Sequence, residues 1–398
     1  MADGTKIEWT DATWNPITGC SIVSPGCTNC YAMKLAGTRL KNHPSRKGLT
    51  RDTKAGPVWT GEVRFNPQWI DEPLRWKKPR MIFVCAHGDL FAEGVPDEWI
   101  DLVFAVMSQA PLHTFQVLTK RPERMRVYLS RPRLEHHLVN ALLPLTFPMP
   151  EPGRWPHLPL PNVWLGVSVE DQKRAAERIP ILLDTPAAIR WISAEPLLGP
   201  VDLTRIDQPN DGFGPYWLNA LQAGESGWFA DEAATVRTEV DPLAFSGLAS
   251  LDWIVAGGES GPDARPMHPV WARSLRDQCA ATGVPFLFKQ WGSWKPICEM
   301  TDHEVNGCYR SNRKASADED QAIIDEMHGT TCLVEQTVLH HDASRHDYLS
   351  PGAFADRHSM TMYNIGKKAA GRLLDGVEHN GFPNRKTRPP AGGELSDV

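Results

Sequence analysis

The chain of 398 residues contains no apolar run approaching the roughly 20 residues that a membrane-crossing helix requires. Its N-terminus, Met1-Ala2-Asp3-Gly4-Thr5, lacks the apolar stretch of a secretory signal, so a cytoplasmic protein with no membrane role is expected. An excess of positive charge is also missing. With 42 Lys and Arg against 48 Asp and Glu, the formal charge of -6 gives no general attraction to a phosphate backbone. That balance disfavours a surface that coats DNA non-specifically and leaves room only for a local basic patch. Regular cysteine spacing is absent too: eight cysteines are spread unevenly through a chain far too large to need disulfide staples. They read as free thiols or metal ligands of a reducing compartment. Extensive disorder is excluded by the 41% hydrophobic content, which is enough for a large core in one big α/β domain or two smaller ones.

What is present is concentrated near the N-terminus. Cys20, Cys27 and Cys30 fall within eleven residues in a C-x6-C-x2-C pattern. Three thiolates on one short loop can hold three irons of a 4Fe-4S cube and leave the fourth without a protein ligand, open to chelation by a small molecule. The first gap contains Ser24-Pro25-Gly26, a turn that can return the chain to a common centre.

Along the rest of the chain one unit recurs: a short apolar run, a polar or glycine-rich turn, then a helix-like segment. The apolar runs are 81–85, 114–118, 163–167, 189–193, 253–256 and 284–288, with another short strand expected within 8–15. Short β-rich runs alternating with helical spacers predict parallel strands. The segments 97–107 and 270–280 carry apolar residues at helical spacing, with Asp97 placed to cap the first. Six or seven parallel strands suit a complete or partial (β/α) barrel. The expected organisation is a barrel core over 1–295, with an insertion at about 202–249 serving as a lid or substrate wall, and a C-terminal extension over 296–398 packing on the core.

In such a barrel the strand ends share one rim, where active sites are built. They carry His87 and Asp89, Lys120 and Arg121, Ser168, Glu195, Glu259, and Lys289-Gln290-Trp291. Polar groups at strand ends also cap helices or satisfy backbone, and for His87, Asp89, Ser168, Glu195 and Glu259 that reading competes evenly with a ligand role. Lys120, Arg121 and Lys289 with Gln290 and Trp291 would suit a phosphate with a stacked base. Arg121 before Pro122 also reads as a helix start with its cations in water. Further along, Cys298, Cys308 and Cys332 accompany His303, His328, His340 and His341. Zinc or an auxiliary cluster would fit their chemistry, but the irregular gaps match no compact motif and favour unliganded side chains. Cys85 and Cys279 sit in apolar patterns and are expected to be core thiols.

The cysteine loop, with Trp9, Trp14-Asn15-Pro16 before it and Tyr31 after it, resembles the radical S-adenosylmethionine superfamily. More narrowly, it resembles a phage- and prophage-associated three-cysteine family of mostly unknown function. The segments 191–198, 257–261, 288–292 and 366–375 extend that resemblance over nearly the whole chain. The first gap of six departs from the superfamily's usual three; Cys27 and Cys30 keep the usual spacing. The resemblance implies a fold of the radical S-adenosylmethionine type and a 4Fe-4S cluster on Cys20, Cys27 and Cys30. It also implies S-adenosylmethionine chelated to the open iron, and an electron donor such as flavodoxin or ferredoxin. Reductive cleavage would yield a 5'-deoxyadenosyl radical that abstracts hydrogen from the substrate, for which a nucleotide or nucleic-acid base is the favoured class. Asp89, or instead His87, would meet the methionine amino group, and Ser168 the carboxylate. Glu195 and Glu259 would meet ribose hydroxyls or substrate amines. Tyr31 would pack near the adenine, or else fill the core as the first turn of a helix. Two other classes compete: a structural-metal protein that binds nucleic acid, its triplet completed by a distant ligand, and a barrel hydrolase using Glu195 and Glu259 as paired carboxylates.

Overall fold

The computed structural model describes residues 4–5, 7–143, 156–208, 216–228, 249–311 and 330–384. Seven strands form one parallel sheet in strictly sequential order: β1 Ala12–Trp14, β2 Met81–Val84, β3 Thr114–Thr119, β4 Val163–Ser168, β5 Ile189–Ala194, β6 Trp253–Gly257 and β7 Phe286–Gln290. Sequential order means that every crossover advances the sheet in the same direction, and the sheet curls into a half-barrel open between β1 and β7. The expected strand count and direction are therefore found, as a partial barrel. Among the described residues no helix is long and apolar enough to cross a membrane.

Side-chain alternation along the strands separates two apolar layers. Ile82, Val84, Ile254, Ala256, Phe286 and Phe288 join the large core shared with the surrounding helices. The intervening residues Phe83, Val255 and Leu287 turn to the other face, into a smaller cluster with Trp9, Trp164, Trp191 and Trp253. These indoles pack edge-on or tilted, with Trp9 5.3 Å from Trp191 and Trp191 5.2 Å from Trp253. They plug one end of the concave side, which leaves the other end, at the strand C-termini, free to hold a cavity.

The helices that cover the sheet include α1 Tyr31–Gly37, α2 Asp97–Gln109, α3 Pro122–Leu129, α4 Leu134–Leu142, α5 Gln172–Leu183 and α6 Pro269–Thr282. Asp97 does not cap α2. Pro96 occupies the cap position without a side-chain bond, and Asp97 is drawn instead to Arg124 and Arg131 at 3.3 and 3.2 Å. Both guanidiniums outbid a backbone N–H because they bring opposite charge.

The described part of the 202–249 insertion is a small antiparallel sheet of 206–208, 216–218 and 226–228. It leans on α5, where Gln208 donates to the Ala176 carbonyl at 3.1 Å. None of its described residues lines the cavity, so the expected lid or substrate wall is not found among them. The boundary drawn at 295 falls inside the strand Trp294–Pro296, which pairs with Met360–Asn364 in a four-stranded antiparallel sheet. The chain then returns to the barrel. His379 and Gly381 exchange backbone hydrogen bonds with Phe288 and Phe286, covering the exposed edge of β7. This returning segment closes part of the sheet edge.

Candidate functional site

A cavity of about 900 Å3 opens at the strand C-termini. Apart from Trp291, every site residue read from the sequence lines it: Cys20, Cys27, Cys30 and Tyr31 on the loop side, the others at the strand ends. Trp291 is corrected to a core residue. It is 1% exposed, with its indole N–H donated to the Leu373 carbonyl at 2.7 Å and its ring edge-on to Phe288. The chain turns away from the rim immediately after Gln290, and residues 371–373 cover the indole.

The cysteine loop is sewn to the sheet by three carboxylates from three strand ends. The first is Asp89, after β2, whose oxygens accept from Thr119 Oγ1 (2.7 Å), the Phe91 and Lys120 amides (2.9 and 3.1 Å) and Arg121 (3.0 Å). Arg121 carries this anchor to the loop: it donates to Cys20 Sγ (3.5 Å) and to the Ser21 carbonyl and hydroxyl (3.2 and 2.6 Å), and also grips Glu93. Four acceptor positions on Asp89 and all five N–H groups of Arg121 are used. Asp89 is therefore a positioning residue with no acceptor left for an ammonium. A helix does start at Pro122 with Arg121 at its cap position, as read from the sequence, but the guanidinium is turned to Asp89 and Glu93 instead of to water or a free phosphate.

The second clamp is Glu170, two residues past β4 and fully buried. It accepts from Ser24 on the loop (2.6 Å), Lys120 (2.6 Å) and Arg178 of α5 (2.9 Å). Burial works against its charge, but the two cations and the hydroxyl outweigh it and hold the carboxyl below its ordinary range. Lys120 is thereby committed to Glu170. Gly26 must be glycine here, because a Cβ would lie 2.3 Å from Glu170 Oε1. With Glu170 pinned from both sides, Gly26→Ala is expected to lose about 1–3 kcal/mol of stability. Denaturant unfolding of the full chain checks this, and an unchanged midpoint would mean that the loop is not held against Glu170.

The third clamp is Glu259, past β6, held by Arg265 through three hydrogen bonds and by Asn29 of the loop at 3.0 Å. Arg265 also reaches the Pro25 carbonyl at 3.0 Å. Burial opposes the Glu259 charge, and Arg265 and Asn29 prevail, so it too titrates below the ordinary carboxylate range. A carboxyl held ionised in this way does not serve as a general acid at neutral pH. Ser24, Asn29, Glu170 and Arg265 were missed from the sequence; only Glu170, in the same strand-end turn as Ser168, carried a signal there.

The thiols so positioned are buried or half-buried and face one cavity. Burial, reinforced by Asp89 and the other two cysteines, pushes Cys20 up to about 12 against the pull of Arg121. Cys30 is raised as well, chiefly by burial. Crowded thiols that resist ionisation alone become good ligands once a soft cation supplies the missing charge. Among the described residues, no three His, Cys, Asp or Glu converge as ligands of a single ion. Three thiols facing one cavity form a soft donor set that could serve a cube, one cysteine to each of three irons.

The residues of the expected second metal site do not converge either among those described. Cys298 is exposed and accepts from Arg273, Cys308 and Cys332 are neighbours beside a two-stranded antiparallel pair, and His340 stacks on His346 at 4.1 Å. His328 lies outside the described residues. Cys85 and Cys279 are buried thiols as expected.

On the opposite wall, capacity remains. Glu195 pairs with Lys289 at 3.0 Å and accepts from Ser193 at 3.2 Å. The Ser168 hydroxyl makes no hydrogen bond to the described residues, and Gln290, 5% exposed, has its side-chain oxygen unpartnered. Tyr31 is 55% exposed, its hydroxyl donating to the Ala86 carbonyl at 2.5 Å while its ring stays open to the cavity, so it is not a buried core residue. His87 accepts at Nδ1 from Arg46 (2.7 Å) and is held down to about 4 by burial and by Arg46 and Arg39. It is therefore neutral with its proton on Nε2, a donor that cannot accept from an ammonium. No curated protein and no solved structure matches the chain. Across residues 4–383 it matches the family described as Protein of unknown function (DUF5131), and it belongs to that family.

Proposed function

We propose that this protein is a radical S-adenosylmethionine enzyme. The observation that carries the reading is the clamped loop: three cysteines, fixed from three strand ends of a curled parallel sheet, facing a cavity large enough for a cofactor and a small substrate. Such immobilisation suits a centre that must stay oriented while its ligand reacts. Cys20, Cys27 and Cys30 would hold a 4Fe-4S cluster, which when bound supplies the electron that cleaves S-adenosylmethionine.

The chain's own residues do the rest. Arg121 and the clamps fix the loop. Ser168, Gln290 and the Glu195–Lys289 pair offer uncommitted donors and acceptors on the facing wall for the polar groups of cofactor or substrate, and Tyr31 offers a ring face for a base. The indole plug closes the floor of the cavity and keeps water from one side.

The test is anaerobic reconstitution of the full chain with iron and sulfide, then incubation with S-adenosylmethionine and reductant. Brown protein with broad visible absorption and release of 5'-deoxyadenosine is expected. A fully loaded cluster with no cofactor cleavage under any condition would overturn the proposal.

A further inference from the structure

We infer that the segment between α1 and β2 builds a phosphate-binding subsite on Arg46 and Arg39, on the side of the cavity flanked by His87. This goes beyond the proposed activity and does not rest on it. Arg46 lines the cavity, is 4% exposed, and makes no ion pair with any described carboxylate. Three of its five N–H groups are donated: two through one terminal nitrogen to the Ser45 carbonyl and hydroxyl (3.3 and 2.7 Å), one through the other to His87 Nδ1 (2.7 Å). Its Nε–H is buried without a partner.

An isolated guanidinium so far from water is costly unless a counter-charge is supplied. No carboxylate among the described residues supplies one. The Trp69 ring, 6.0 Å away, offers only a cation–π contact. The surrounding groups deepen the deficit, since burial first and then the neighbouring Arg64 bring Arg46 down to about 10. Arg39, exposed on the same cavity wall, is likewise unpaired among the described residues, and His87 Nε2 adds another donor.

The contrast with the cations expected from the sequence is direct. Lys120, Arg121 and Lys289 are each neutralised by a carboxylate, at 2.6, 3.0 and 3.0 Å. Arg46 and Arg39 are the cavity arginines without one among the described residues. A planar guanidinium with neighbouring N–H donors matches phosphate oxygens. The open ring of Tyr31, 6.1 Å from His87, places a stacking face beside the anion, as a nucleotide would need.

The test is calorimetric titration of the full chain with a 5'-mononucleotide, the matching nucleoside, a short single-stranded oligonucleotide, and S-adenosylmethionine. Mononucleotide or oligonucleotide should bind more tightly than nucleoside, and the stronger of the two identifies the source of the phosphate. Arg46→Gln should weaken that ligand roughly tenfold or more, and Arg46→Lys should restore part of the loss. Arg39→Gln, at an exposed position, should weaken it in a salt-dependent way without disturbing the fold, which keeps the test decisive if Arg46→Gln is unstable. Equal affinity for nucleoside and nucleotide would overturn the inference. So would a loss confined to S-adenosylmethionine, since the anion would then be the cofactor's carboxylate.

Discussion

Replacing Cys20, Cys27 or Cys30 with Ala, one at a time, is expected to remove most of the iron bound on reconstitution and to abolish cleavage of S-adenosylmethionine. The folded chain should survive. The loop is held by Ser21, Ser24, Pro25 and Asn29 through the three clamps, and the thiols add only long contacts, Cys20 with Arg121 at 3.5 Å and Cys27 with the Ser24 hydroxyl at 3.8 Å. Loss of a thiol therefore leaves the loop in place with one ligand fewer, and metal affinity falls without collapse of the scaffold. Cys279→Ala is the control. That thiol is 1% exposed in α6, away from the cavity lining, so its loss should cost about 1 kcal/mol of packing and no iron. Iron content, visible absorption and thermal unfolding of the four variants decide the matter. Full iron loading in all three loop variants would reject the ligand assignment.

Glu170→Gln is expected to be the most destabilising single substitution at the site. It leaves Lys120 and Arg178, with side chains only 17% and 6% exposed, facing a neutral amide. Breaking one side of a buried ion pair in this way costs about 3–5 kcal/mol, more than the pair's net contribution, because unpaired charge stays buried. The same substitution should change the acid limb of the stability curve. A carboxylate whose folded pKa is depressed stabilises the fold at pH above its unfolded value, about 4.3, and that stability is lost as pH falls through the folded value. Glu170 and Glu259 are both depressed, so the wild type should lose the loop clamps only in acid, and Glu170→Gln should flatten part of that dependence. Denaturant midpoints measured from neutral pH down into acid give both effects. A variant as stable as wild type at neutral pH would show that the clamp does not hold the loop. Poor iron retention in the same variant, with all three cysteines present, would tie loop position to ligation.

The parallel sheet was legible because its strands are buried on both faces and so read as short, nearly continuous apolar runs separated by helical periods. Each of the seven expected runs overlaps a strand of the sheet. The cysteine loop was legible because thiols have few uses in a chain of this size other than packing or binding metal. The rim residues were legible as polar groups at strand ends, and all but Trp291 reached the cavity. Their state of engagement was not, since it depends on partners distant in the chain: Asp89 with Arg121, Lys120 with Glu170, Glu259 with Arg265. A charge in a sequence looks the same whether it ends paired or alone. Trp291 failed for a related reason, as the covering residues 371–373 lie some eighty positions away.

By itself, then, the sequence determined the parallel α/β framework, the thiol triplet and the rim from which the cavity is built, because periodicity and residue chemistry are local properties. Only the tertiary structure decided which ionised side chains spend their charge on holding the cysteine loop and which keep it for a ligand. Arg46 illustrates the difference: it sits in an irregular segment with no pattern to mark it, and becomes conspicuous only when burial removes water and no carboxylate takes its place.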